Sequence, residues 1–418
     1  MRNSSSERNS SSERNSSSER NSSSDRHTVR VASFWATTRH DWLLGTTWFA
    51  PHTPPYEIEG IAVTPLHYTL WEKIRLSPWV IGYYPLQKLA IRKIAETLLP
   101  KLRAIAGEAD LIHHGRIGRE PLAFASLALA RERGIPFVLT PNHHPRWRGW
   151  PYLHYHSLYR QADAVIALTS AEAQTLVELG VDRQRIFISG IGAVLSDQYD
   201  AAAFRQKYCQ DGPLVLFLGQ KYAYKGFDKL LEAAPLVWAK QPEVQFLFIG
   251  PRTRASRRIF SRCGTVVPSG TVVPSGTVVP SGTVVPSGTV VPMRDRRIIE
   301  LDAVSLEEKT SALAACEVLC VPSVQESFGG VFVEAWRMGK PVIGADIPAV
   351  AEVISNGVDG FIGPPNAAFL AEKLLTLLSD APIRERMGKA GLEKAQSCYD
   401  WSIIANRIED VYRAVGNW

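Results

Sequence analysis

From Val318 to Asp346 the chain reads VLCVPSVQESFGGVFVEAWRMGKPVIGAD. Two short apolar runs flank one amphipathic segment, with Pro322-Ser323 at the first junction and Gly339-Lys340-Pro341 at the second. The pattern is strand, tight loop, short helix, turn, strand. Similar alternations recur before and after it. DLIHHG, FVLTPN, AVIALTS and RIFISG read as short buried strands, separated by helical segments at Pro121 to Arg133 and Ser170 to Leu179. A second alternating block begins at Leu214. Repeated alternation of this kind leads to parallel sheets with helices on both faces.

Within the first stretch, Glu326 lies in the loop, Glu334 lies eight positions on in the helix, and Gly329 and Gly330 sit between them. A helix opened by glycines presents free backbone N–H groups and a positive dipole end, which suits a phosphate. A loop carboxylate beside it can accept hydrogen bonds from sugar hydroxyls, and a helical one from a ribose. The spacing alone is weak, since Glu300 and Glu308 are also eight apart without any such surroundings. The order of the parts carries the reading.

That stretch resembles the signature of retaining glycosyltransferases of family 4, the group 1 class. LVLFLGQKYAYKGFDKLLEA, from Leu214 to Ala233, resembles the family's first C-terminal strand and lysine loop. VIALTSAEAQTLVELGVDRQRIFISGIGA, from Val165 to Ala193, resembles the end of its N-terminal domain. The likeness covers roughly residues 27–415. It implies an α/β fold of two Rossmann-like domains facing a cleft, the GT-B architecture.

The resulting division is a repeat tail over 1–26, an N-terminal acceptor domain over 27–200, a nucleotide-sugar domain over 210–400 and a final helix over 401–418. The polar stretch Ser196 to Gly212 links the domains. In the family the last helix crosses back to the N-terminal domain.

Two hexapeptide repeats interrupt this plan. Residues 2–25 repeat RNSSSE, too polar to bury a core, which predicts disorder. The TVVPSG units over 264–292 carry Pro and Gly in every copy, which excludes helix and predicts an extended surface excursion. His27-Thr-Val-Arg-Val-Ala-Ser resembles the family's second strand. The resemblance therefore predicts an N-terminal domain without its usual first strand, Gly-rich loop and helix.

Further site residues follow from the resemblance. Lys225 corresponds to the lysine that neutralises the donor diphosphate. The family places an arginine directly after the strand's glycine, Gly219. Here that slot is Gln220, with Lys221 next to it as a substitute cation. Glu326 corresponds to the carboxylate on the sugar hydroxyls and Glu334 to the one on the ribose. Backbone amides of Phe328, Gly329 and Gly330 complete the contacts. Thr140-Pro-Asn-His143-His144-Pro145 ends an apolar strand, where the family has a cleft histidine. Spacing leaves His143 and His144 both open, and the family's form favours His144. His113 and His114 are weaker candidates.

The implied activity is transfer of a hexose from a nucleotide-diphosphate sugar to a glycan or lipid-linked acceptor. No cofactor or metal is implied, and His143, His144, His154 and His156 match no metal-ligand spacing. The alternative is a relative that binds nucleotide sugar without turnover. A phosphorylase would need further phosphate-binding cations near the cleft. A dinucleotide-dependent oxidoreductase would need a G-x-G-x-x-G after its first strand, which the chain lacks.

Charge and composition constrain partners only loosely. Net charge is +6, compatible with an anionic donor or a lipid surface. Leu86 to Ala106 carries a helical apolar stripe beside a basic face, interrupted at Pro100. This favours a core-packed helix over an interfacial one, leaving peripheral membrane contact as a partner expectation. The five cysteines form no metal pattern and read as reduced thiols. No apolar run is long enough to span a bilayer and the N-terminus is polar, which together predict a cytoplasmic protein, at most peripheral at the membrane. No feature points to nucleic acid.

Overall fold

The computed structural model describes residues 27–34, 54–58, 60–115, 121–147, 149–209, 211–266 and 295–416. The RNSSSE tail and residues 267–294, which include most of the TVVPSG insertion, lie outside them.

The N-terminal half contains β1 (Val31–Ser33), β2 (Tyr56–Ile58), β3 (Ile61–Pro65), α1 (Leu70–Ile81), α2 (Gln87–Ala106), β4 (Ile112–Gly115), α3 (Leu122–Arg133), β5 (Phe137–Thr140), α4 (Leu153–Gln161), β6 (Ala164–Ala167), α5 (Ser170–Glu178) and β7 (Ile186–Ile188). Strands β4 to β7 form a parallel sheet in chain order. Strand β1 pairs in parallel with β3, and β2 joins β3 antiparallel in a separate three-stranded sheet. Among the described residues no strand joins β1 to β4.

One helix here differs from the sequence expectation. Helix α2 is assigned as one unbroken helix through Pro100. Leu98 and Leu102 are buried on either side of that proline, and the packing of α2 on α3 offsets the lost backbone hydrogen bond. Helix α5 begins at Ser170 as expected, with Thr169 as its cap, the Thr169 side chain accepting from the Glu172 N–H.

The C-terminal half contains α6 (Ala201–Tyr208), β8 (Leu214–Leu218), α7 (Phe227–Trp238), β9 (Gln245–Ile249), α8 (Arg254–Cys263), β10 (Gly264–Val266), β11 (Asp295–Leu301), α9 (Leu306–Ala315), β12 (Val318–Val321), α10 (Gly330–Arg337), β13 (Val342–Ala345), α11 (Pro348–Val353), β14 (Gly360–Gly363), α12 (Ala367–Ser379), α13 (Ala381–Cys398) and α14 (Trp401–Val415). Its sheet is parallel throughout, in the order β10-β11-β9-β8-β12-β13-β14. The apolar runs of β8, β9, β12 and β13 are buried along their whole length, as a sheet covered on both faces requires.

Two segments behave differently from their compositions. The polar link after Ser196 contains α6, whose Phe204 and Tyr208 enter the C-terminal core. The start of the TVVPSG repeat supplies β10, an edge strand on β11. Helix α14 packs on the N-terminal sheet, with Val411 buried against Val138, Ala164 and Ile166. The Tyr412 hydroxyl lies 2.7 Å from His113 Nδ1, and Arg407 donates to the Ser189 carbonyl.

Candidate active site

In the C-terminal sheet the strand order runs outward in one direction from β8 and in the other from β12. Ligands of open α/β sheets bind outside the carboxyl ends of the strands at such a reversal. The loops leaving β8 and β12 are the lysine loop, 219–226, and the glutamate loop, 322–329.

Backbone geometry locks these loops together. The Val324 N–H donates to the Tyr224 carbonyl at 2.9 Å, and the buried Ser323 Oγ donates to the same oxygen at 3.2 Å. Gly226 has φ +75°, and a Cβ there would lie 2.4 Å from the Pro322 carbonyl oxygen. Only glycine permits both the left-handed backbone and the close approach. Consequently Lys225 Nζ reaches Glu326 Oε1 at 2.6 Å, both side chains partly buried. Gly329, at φ +92°, then turns the chain into α10, whose first residue is Gly330 and which has no side-chain N-cap. Its leading N–H groups face the carboxyl end of the sheet, beside Lys225 and Glu326. The Phe328 ring is buried against Tyr399, so only its backbone is placed to serve a ligand.

Glu334 lies one turn into α10, mostly buried, with Lys309 Nζ 2.8 Å from Oε1. Burial pushes its carboxyl pKa up and Lys309 opposes the shift. Lys309 also donates to the Val194 carbonyl in the link between the halves, at 2.6 Å. The sequence reading missed Lys309, although a lysine early in a helix that precedes the glutamate strand is visible there.

Lys221 is a correction. It is fully buried rather than in the cleft, donating to the carbonyls of Gly250 and Leu301 and lying 3.4 Å from Glu300. Gln220 is exposed and Lys221 is not, because the extended backbone after β8 sends successive side chains to opposite sides. Burial pushes the Lys221 pKa down, partly offset by Glu300. Arg252 lies 3.3 Å from the other Glu300 oxygen, so the buried carboxylate has two cations beside it.

The N-terminal half closes over the site through the loop after β5. Ser327 Oγ donates to the His143 carbonyl at 2.9 Å, and Thr169 Oγ1 donates to the Ser327 carbonyl at 3.2 Å. Glu352 of α11 accepts from the Ser170 and Ala171 N–H groups at the start of α5. Glu172 accepts from the N–H groups of His143 and Leu168, fixing the histidine loop to β6. Burial raises the Glu172 pKa to about 7 against those two donors.

The two histidines separate clearly. The His143 ring is buried, with Nδ1 3.1 Å from the Tyr159 hydroxyl. The His144 ring faces the lysine loop, 5.6 Å from the Tyr224 ring, and its buried Nε2 has no hydrogen-bond partner. Burial foremost, then Arg146 and Lys225, lowers the His144 pKa to about 4. Arg146 lies over Tyr224, which stacks on Tyr222, a bridge between the halves that sequence reasoning did not find. His113 is taken up by Thr140 and Tyr412 in holding α14.

Two family models divide the chain between them. Residues 22–192 match a glycosyl transferase 4-like domain, and residues 297–394, which contain the glutamate loop, match the glycosyl transferases group 1. The chain belongs to the group 1 glycosyltransferases. Among its relatives, a phosphatidyl-myo-inositol mannosyltransferase of Mycobacterium leprae is 32% identical over 222 residues, covering 52% of this chain and 51% of that protein. A sulfoquinovosyl transferase of Arabidopsis thaliana is 25% identical over 334 residues, covering 74% and 57%. The matching region spans about half the length of the curated mannosyltransferase relatives. In structure the group 1 chain is similar to a sucrose-phosphate synthase from Thermosynechococcus elongatus, with TM-score 0.61, 20% identity and coverage of 87% and 86%. It is also similar to Anabaena HepE in complex with UDP and glucose, with TM-score 0.58, 17% identity and coverage of 85% and 86%. The fold is GT-B, two Rossmann-like units over a cleft.

Proposed function

We propose that this group 1 glycosyltransferase moves a hexose from a nucleoside-diphosphate sugar to a glycan or lipid-linked acceptor, with retention at the anomeric carbon. The observation that carries the reading is the Lys225–Glu326 pair, held at 2.6 Å beside the glycine-opened start of α10 at the strand-order reversal. Relatives named for mannosyl and sulfoquinovosyl transfer, and a neighbour holding UDP and glucose, support the substrate class.

A diphosphate at this point competes with Glu326 for the Lys225 ammonium. Lys225 then neutralises the charge that grows on the leaving phosphate, and the α10 N–H groups add fixed dipoles. Glu326, released toward the sugar, accepts from its hydroxyls. Glu334 takes the ribose hydroxyls. The partnerless Nε2 of His144 gains a hydroxyl of the transferred sugar. The C1–O bond to the β-phosphate breaks through an oxocarbenium-like transition state. The acceptor oxygen bonds to C1 on the same face, and its proton passes to the departing phosphate oxygen. No side chain of the protein is consumed.

A thermal-shift screen of UDP- and GDP-sugars identifies the donor, because a ligand that binds only the folded state raises the melting temperature. NMR of the first-formed product then reads its anomeric configuration. An α product from an α donor is expected, and a β product would overturn retention. Donor binding without turnover on any glycan or lipid acceptor would leave the non-catalytic alternative standing.

A further inference from the structure

Helix α1 is apolar on two faces. Leu76 and Val80 face inward and are buried. Trp71, Ile74, Pro78 and Ile81, spaced three, four and three residues apart, lie on one outer face, and all are exposed. Trp71 is 79% exposed and Ile81 82%. A surface helix of a water-soluble fold puts charged side chains there, and a contiguous apolar patch marks a surface that meets something else.

The patch does not stop at the helix. Tyr84 and Leu86, in the turn into α2, are exposed. The Tyr84 ring lies 5.8 Å from that of Trp150, and Gln87 Nε2 donates to the Pro151 carbonyl, tying the turn to the corner before α4. Trp150 and Leu153 are exposed at that corner.

Charge selects the partner. Between Leu70 and Glu96 there are five cations, Lys73, Arg75, Lys88, Arg92 and Lys93, against two acids, Glu72 and Glu96, and Glu96 pairs with Arg92 and Lys93. Glu72 is already engaged by Lys101 and by the Thr69 cap of α1. Arg75 and Lys88 are exposed beside the apolar stripe. Tryptophan and branched aliphatics flanked by cations fit the headgroup boundary of an anionic bilayer. Helix α2 is not the interfacial element, since its apolar stripe is buried against α3.

We infer that the outer face of α1, with the Tyr84–Trp150 corner, is a docking surface for an anionic lipid bilayer. The corner lies three residues beyond Trp147, whose ring contacts His144. Docking there sets the mouth of the cleft against the membrane. That last step rests on the transferase reading, whereas docking itself is read without donor or turnover.

The test is co-sedimentation of the full chain with vesicles of phosphatidylcholine, with and without phosphatidylglycerol. Binding is expected only where phosphatidylglycerol is present, weakening as salt rises. The double variant Trp71→Glu/Ile81→Glu is expected to lower vesicle affinity by roughly tenfold or more while leaving the melting temperature unchanged, because both side chains are exposed. Four results would overturn the inference. The parent binds neither vesicle, or the double variant binds as well as the parent. The parent is a dimer that the variant dissolves without any change in vesicle binding, which makes a second copy the occupant. The variant melts well below the parent with unchanged vesicle binding, which means the chain covers the patch itself.

Discussion

The two halves of the molecule carry similar kinds of strand and helix but place their exposed chemistry differently. In the C-terminal half a seven-stranded parallel sheet reverses strand order between β8 and β12, and the loops at that reversal are joined by the Val324 N–H and the Ser323 hydroxyl on the Tyr224 carbonyl. Its charged groups sit where geometry fixes them. In the N-terminal half the described strands fall into sheets of three and four, and helix α1, which follows the first of them, carries exposed Trp71, Ile74 and Ile81. Its surface ion pairs, such as Arg103–Glu132 and Arg131–Asp163, leave the outer apolar face of α1 open. Donor recognition calls for the first kind of construction, because a phosphate must be held at fixed distances. Acceptor delivery tolerates the second.

The largest effect that would break this contrast is catalytic. Lys225→Ala and Glu326→Ala are each expected to lower transfer at least about a hundredfold, the scale of a lost transition-state contact. Steady-state kinetics on the identified donor, with melting curves to show folding, checks this. Near-parental turnover in both would remove the C-terminal half's claim to the chemistry.

A second test separates the two lysines of the same loop. Lys221→Met leaves the buried Glu300 short of one partner, with Arg252 still beside it. The expected cost is about 3 kcal/mol of stability, read by urea denaturation, since breaking a buried pair strands a charge. Donor affinity of the folded fraction is expected to hold. Lost affinity without lost stability would return Lys221 to the cleft.

How much of this was legible in the sequence depended on the kind of residue involved. Glycine and proline announce backbone geometry, so the Gly329 turn and the Pro322-Ser323 junction could be read as site features, whereas the Gly226–Pro322 approach joins distant residues and could not. Charge alone does not announce direction. Lys221 was read as cleft-facing because its burying partner, Glu300, is distant in sequence; the visible signal was an acid inside the apolar run IIEL. Helix α1 presented apolar residues on two faces, and sequence does not tell which faces inward. The polar link hid α6, because Phe204 and Tyr208 are sparse apolar points in a charged segment. His143 and His144 were separable only through Tyr159 and Tyr224, which belong to other elements.

Smaller effects sharpen the comparison. The His144 pKa near 4 lies below that of an unfolded histidine, so the folded chain resists its protonation. Through this group, stability is full above about pH 6.5 and falls as pH drops toward 4. Donor affinity measured from pH 8 to 6 is therefore expected to show no step from His144. A step there that His144→Gln abolishes would mean the ring is charged in the site. Smallest of all, deletion of Gly270 to Ser287 removes whole repeat units beyond β10. Shortening a loop changes closure entropy by only about 0.6 kcal/mol per halving, so the melting temperature and donor affinity are expected to stay near parental values. A large drop in melting temperature would show that the repeat packs on the domain.

The central claim is that the strand-order reversal of the C-terminal sheet holds a nucleoside diphosphate through Lys225, with Glu326 reserved for the sugar. Calorimetric titration of UDP and GDP into the parent, Lys225→Ala and Glu326→Ala tests it most directly. The expected result is affinity for one diphosphate that falls roughly tenfold or more in Lys225→Ala, the cost of a charge-assisted contact, and holds or improves in Glu326→Ala, which frees the ammonium. Unchanged diphosphate affinity in a folded Lys225→Ala would contradict the account.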